Sequence, residues 1–330
     1  FPFSVPSVLP TQTQSINELL LLRAMQAIGV GMATVNSSAM SRDLFSGHEM
    51  AKVLSMVAMV MMSAPLIAPM LGALIVKFYD WQTIFFCLSI YSILVMLLLL
   101  WRLPETNPRA KRDEKKRAQG NTKLWQSYKR VLTHRQAMGY IMAISFAFCG
   151  MFVFITSSAF TYLEYFSVTV QQFPFLFGAN VVVMMLMNRI NVWALNHYSS
   201  TSILTVGLLI QLACGTALII ASYNQPNLYL IVALNMLFVG SLGLIAANAT
   251  AGTLNFFPDI SGTATAVIGV TEFTLGAIVG IFWSYLHDLQ FVATQQHTLS
   301  PMAWVMAGCA LIGLISLKVL SAPKTATKPL

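Results

Sequence analysis

Charge is what this sequence has least of: Asp, Glu, Lys and Arg make up 9% of its 330 residues, whereas a soluble domain carries about 25%. That shortage excludes a water-facing surface over most of the chain. Cysteine is scarce too, and Cys87, Cys149, Cys214 and Cys309 each stand singly inside an apolar stretch. Their separation excludes paired-cysteine disulfide frameworks and zinc sites, and leaves them as small core residues. His48, His134, His197, His287 and His297 fall in loops or at helix ends without ligand spacing, so no metal is expected. No P-loop, HExxH or GxSxG pattern occurs, and no cluster of His, Asp or Cys marks an enzyme centre.

What fills the chain is apolar, at 57%. Crossing a bilayer takes about 20 apolar residues, and nine such stretches fit. They cover 15–41, 52–76, a run ending at Trp101-Arg102-Leu103-Pro104, then 136–160, 172–194, 202–222, 226–250, 260–286 and 301–320. The expected fold class is therefore an all-α integral membrane protein. The first stretch opens on Ser15-Ile16-Asn17-Glu18, the spacing of a capping box. Residues 1–14 carry Pro2, Pro6 and Pro10, which suits neither a signal peptide nor a spanning helix, and residue 1 is Phe. The expectation is an irregular remnant at the start of a chain that begins mid-protein.

The net charge of +8 does not point to nucleic acid, because eleven of the nineteen basic residues lie between Arg102 and Arg135. Alternating the loops across a membrane places seventeen of the nineteen on one side and Lys77 on the other, with Arg23 left inside a span. The positive-inside rule then makes the basic loop and the C-terminus cytoplasmic. The same loop can attract anionic headgroups.

A shift of 212 residues aligns Gly31 with Gly243, Asn36 with Asn248, Phe45 with Phe257, Ala64 with Gly276 and Ala68 with Gly280. This weak repeat predicts a parent of two six-helix bundles. On that reading 15–103 is the second half of the first bundle, 104–135 the cytoplasmic linker, 136–320 the second bundle and 321–330 a cytoplasmic tail. About three helices would be missing before residue 15.

An arginine within a span costs about 2.5 to 3.5 kcal/mol and normally faces a bundle interior or an aqueous cavity. Arg23 shares a helical face with Gln26, and Ala27, Gly29 and Gly31 allow another helix to approach. The alternative is an arginine snorkelling to the interface. Ser63-Ala64-Pro65-Leu66-Ile67-Ala68-Pro69-Met70-Leu71-Gly72-Ala73 has prolines four apart among small residues, which fits either a gating helix or tight packing. Glu272 lies about three turns into its span and is a candidate proton carrier or cation anchor, or else a neutral acid bonded between helices. Asn36, Asn180, Asn235 and Asn248 are candidates for a substrate cavity, although each also suits interhelical bonding.

The Arg23 and Pro65 stretches resemble the fourth- and fifth-helix motifs of drug:proton antiporters in the major facilitator superfamily, R-x-x-Q-G-x-G and G-x-x-x-G-P-x-x-G-G. Ala27, Ala64, Ala68 and Ala73 stand where the family usually has glycine. Ser41-Arg42-Asp43-Leu44-Phe45, Leu103-Pro104-Glu105-Thr106, Gln171-Gln172-Phe173 and Phe257-Pro258-Asp259-x-x-Gly262-Thr263-Ala264 are similar to the bicyclomycin and chloramphenicol resistance branch. The resemblance implies a major facilitator fold with about nine of twelve helices present. It also implies export of amphiphilic drugs in exchange for protons, with Arg23 and Gln26 in proton coupling; Glu272 joins them on its position within a span, and Ala64, Pro65, Ala68, Pro69, Gly72, Gly276 and Gly280 are the candidates for gating or helix packing.

The partners expected are a small amphiphilic solute, protons and the lipid of a bacterial inner membrane. The protein is expected as a monomer, with the proton gradient in place of any cofactor. A non-transporting remnant and a transporter of another small solute are the alternatives.

Overall fold

The computed structural model describes residues 16–44, 47–102, 124–224, 226–295 and 298–321. Helix is the only regular structure among them, as hydrocarbon demands of a backbone that must satisfy its own hydrogen bonds. The chain divides into two compact units between Asn121 and Thr122.

The first unit contains α1 (Ile16–Leu44), α2 (Gly47–Phe78) and α3 (Gln82–Arg102). A tight turn joins the last two, with Thr83 N donating to Asp80 O at 3.0 Å and Ile84 N to Trp81 O at 3.1 Å. Both α1 and α2 run past the ends expected from hydropathy. Polar Arg42-Asp43 and Gly47 to Met50 can continue a helix beyond the apolar stretch that signals the span.

The second unit begins with α4 (Leu124–Thr133), where only loop was expected. Its residues Leu124, Tyr128 and Val131 recur at helical spacing, and Val131 is fully buried. His134 follows, accepting from Ala137 N at 3.2 Å to cap α5 (Arg135–Ala159), which continues as a π-helical turn over Phe160–Tyr165. Then come α6 (Phe173–Ala194), α7 (Ser200–Tyr223), α8 (Leu228–Gly240), α9 (Leu242–Leu254), α10 (Ser261–Thr294) and α11 (Ser300–Leu320). Ser199 and Asn227 cap α7 and α8, and Pro174 and Pro301 occupy first turns where a missing N–H costs nothing. The span expected over 226–250 is thus two helical segments that meet at Ser241, whose hydroxyl donates to Phe238 O at 2.7 Å.

Helix α5 packs against α10, α11 and α9; α11 also packs on α7, while α6 lies against α8 and α9. One core cluster gathers Cys149, Phe154, Tyr162, Phe238 and Met306, and another Ile141, Leu204, Leu208, Ile245 and Phe257. Cys149, Cys214 and Cys309 are buried core residues, whereas Cys87 is exposed on α3, so the reading of all four as core residues fails there. The buried face of its helix is marked by the small residues Ser89 and Ser92, and Cys87 lies off it.

Seven helical spans among the described residues are long and apolar enough to cross a membrane. The first is α3; the others are Arg135–Tyr165, α6, α7, Leu228–Leu254, α10 and α11. Large apolar side chains such as Phe273, Ile281 and Tyr229 point outward, the surface expected where lipid is the solvent. The stretches 15–41 and 52–76 fall on α1 and α2.

Candidate functional site

In the first unit the guanidinium of Arg23 donates from Nη1 to Gln26 Oε1 at 2.8 Å, so the three-residue spacing becomes a direct hydrogen bond. Gln26 is 5% exposed, and Arg23 is exposed. The guanidinium carbon lies 5.7 Å from the Phe85 ring centroid of α3, a cation–π contact that joins the two helices. One turn beyond Phe85, Ser89 is buried and donates to Phe85 O at 2.7 Å.

On α2, Ala64 and Ala68 are exposed, while Pro69 and Gly72 are half-buried. A methyl group at Gly72 would meet no described atom within 4 Å. The side chains of Asn36 and Pro65 lie outside the described residues, although both positions are helical.

In the second unit, Glu272 occupies a stripe of α10 shared with Ile268, Gly276 and Gly280, each one turn apart, and those three neighbours are buried. Its half-buried carboxyl is within electrostatic reach of Cys149 on α5, and no hydrogen bond or ion pair joins it to another described residue. Phe148 of α5 meets Phe273 edge-on with centroids 5.3 Å apart. A methyl group at Gly276 or Gly280 would reach the Phe152 ring at 3.5 Å, an ordinary contact.

The amides divide by partner. Asn180 Nδ2 donates to Leu176 O at 2.9 Å and Phe177 O at 3.0 Å within its own helix, leaving Oδ1 unpaired. Asn235 faces Tyr162, and both are fully buried. The two interact without meeting hydrogen-bond geometry, so the hydroxyl and both amide atoms stay unsatisfied. Asn248 ties three helices together: Nδ2 donates to Asn191 Oδ1 at 2.6 Å and Oδ1 accepts from Ser200 Oγ at 2.8 Å.

Sequence reasoning missed three features. Gln211, fully buried on α7, donates to Phe238 O at 3.3 Å and was visible as a polar residue at mid-span. Tyr162 gave no signal beyond its aromatic type. Arg130 of α4 pairs with Asp259 in the loop before α10 and stands 6.0 Å from the Phe257 ring centroid. The spacing of Leu124, Tyr128 and Val131 would have revealed the helix that carries Arg130.

Seven spans among the described residues, long and apolar enough to cross a membrane, define a polytopic membrane protein. The chain belongs to the Major Facilitator Superfamily, whose family model matches residues 2–281. It is 29% identical over 316 residues to a bicyclomycin resistance protein homolog of Haemophilus influenzae, covering 95% of this chain and 76% of that one. It is 24% identical to the multidrug resistance protein MdtL of Klebsiella pneumoniae, covering 98% of this chain and 78% of that one. Among solved structures it resembles a D-xylose-proton symporter, with a TM-score of 0.71 at 20% identity, covering 99% of this chain and 79% of that one. The protein is thus a multi-pass membrane transporter of the major facilitator fold and not an enzyme.

Proposed function

We propose that the protein exports small amphiphilic drugs in exchange for inward protons by alternating access. It does so as a monomer in the bacterial inner membrane, with its C-terminus in the cytoplasm. The observation that carries this reading is the Arg23–Gln26 pair beside Phe85. A guanidinium held by a buried amide is fixed within the helix, where its charge biases the protonation of any carboxyl that approaches.

Glu272 is the proton carrier of the second unit, supported by the absence of a hydrogen-bond or ion-pair partner for it among the described residues. Asn180 and Asn235 are the candidate polar contacts for substrate, reached when the packing that buries them opens. The names of the bicyclomycin and MdtL relatives support a drug as cargo.

The test is reconstitution in proteoliposomes with a fluorescent amphiphile and an imposed proton gradient. Gradient-driven movement that falls at least about tenfold in Arg23→Ala is expected, in line with losing a charge-assisted bond of about 1.5–3 kcal/mol. Movement indifferent to the gradient, or unchanged in Arg23→Ala, overturns the proposal.

A further inference from the structure

We infer that α4 is an in-plane membrane-interface helix whose outer stripe binds anionic phospholipid headgroups. The inner face of α4 is fixed to the protein. Val131 is 0% exposed, Tyr128 packs against the same core cluster, and Arg130 is tethered to Asp259. The outer face has no protein to cover it among the described residues. Trp125 is 73% exposed and Leu132 50%, and with exposed Lys129 they fall at i, i+4 and i+7, on one stripe.

Position decides the occupant. Only Thr133 and His134 separate Leu132 from Arg135, the first residue of a membrane-crossing helix, so the stripe lies at the edge of the hydrocarbon. A tryptophan and a leucine flanking a lysine suit that boundary: the rings and methyls enter the acyl region and the ammonium reaches back to the headgroups.

Charge selects among lipids. Arg135 donates from Nη2 to Val319 O at 2.9 Å at the end of α11, and the exposed Lys318 precedes Val319 in the chain. Lys129, Arg135 and Lys318 therefore rim one end of the bundle. Asp259, the acidic residue seen at that end, is already engaged by Arg130. A headgroup phosphate of phosphatidylglycerol is the complement to such a rim.

Two measurements on the whole reconstituted protein test this. With the native cysteines replaced, a nitroxide at Trp125→Cys is expected to be accessible to oxygen and shielded from a water-soluble nickel chelate. Full nickel access, meaning a stripe in water, overturns the inference, and so does shielding from both reagents, meaning a protein partner. In native mass spectrometry the protein is expected to retain phosphatidylglycerol over phosphatidylcholine. Lys129→Gln/Lys318→Gln, which breaks no hydrogen bond in the structure, is expected to lower that preference by roughly fivefold per charge removed. Equal retention of the two lipids, or no change in the double variant, overturns it.

Discussion

Asn248 Nδ2 donates to Asn191 Oδ1 at 2.6 Å, a short amide pair buried between α9 and α6 and extended to α7 by Ser200. Asn248→Ala leaves Asn191 Oδ1 and Ser200 Oγ to find new partners. The variant is expected to lose roughly 1–2 kcal/mol of stability, near the upper end for interhelical bonds in membranes. Thermal unfolding in detergent checks this. Asn180→Ala, which breaks bonds only within α6, is expected to cost less.

Glycine packing separates two kinds of helix contact. A methyl group at Gly243 would stand 2.5 Å from Met184 O and 2.6 Å from Asn188 N, and one at Gly215 would stand 2.8 Å from Ala307 Cα. Backbone cannot yield as a side chain does, so Gly243→Ala and Gly215→Ala are expected to destabilise by about 1–3 kcal/mol. Gly276→Ala and Gly280→Ala meet side-chain atoms of Phe152, with Phe148 or Thr156 beside it, all at ordinary distance, and are expected to leave melting unchanged or raise it. If they nevertheless slow transport, α10 needs the glycines for movement and not for fit.

The apolar period of spans such as 136–160 and 301–320 was legible because hydrocarbon imposes length and composition together. The Arg23–Gln26 bond was legible because side chains three apart on a helix meet without help from tertiary structure. What lay hidden depended on distant partners. Asp259 belongs to a recognisable motif, yet its pairing with Arg130 joins positions 129 residues apart. Asn248, Asn235 and Asn180 read alike in sequence, and only packing separates an interhelical tie from an unsatisfied amide. Gly243 and Gly276 both drew notice through the internal repeat, yet only packing shows that a methyl group would meet backbone at Gly243 and an ordinary ring contact at Gly276.

Gln26 holds Arg23 in one orientation through a bond between neutral oxygen and charged donor. Gln26→Ala is expected to reduce proton-driven transport at least about tenfold, since the same charge-assisted bond of about 1.5–3 kcal/mol is lost. Arg23→Lys keeps the charge but loses the planar fork, and is expected to fall closer to Arg23→Ala than to wild type. Initial rates under a fixed gradient decide both.

The Arg130 guanidinium, bonded to Asp259, holds that carboxyl below its ordinary value of 3.8. A depressed folded value means that the pair contributes stability above pH 3.8 and loses it as pH falls through the lower folded value. Both side chains are 54% exposed, so solvent screens the contribution to overall melting, which stays small. The titration itself is the sharper readout. The chain has five aspartates, so carboxyl-labelled aspartate gives few carbon signals to follow. Arg130→Gln is expected to move one of them, that of Asp259, upward toward 3.8 and to leave the remainder in place. An Asp259 midpoint that does not respond to Arg130→Gln would mean that the ion pair does not hold α4 to the loop before α10 in the membrane.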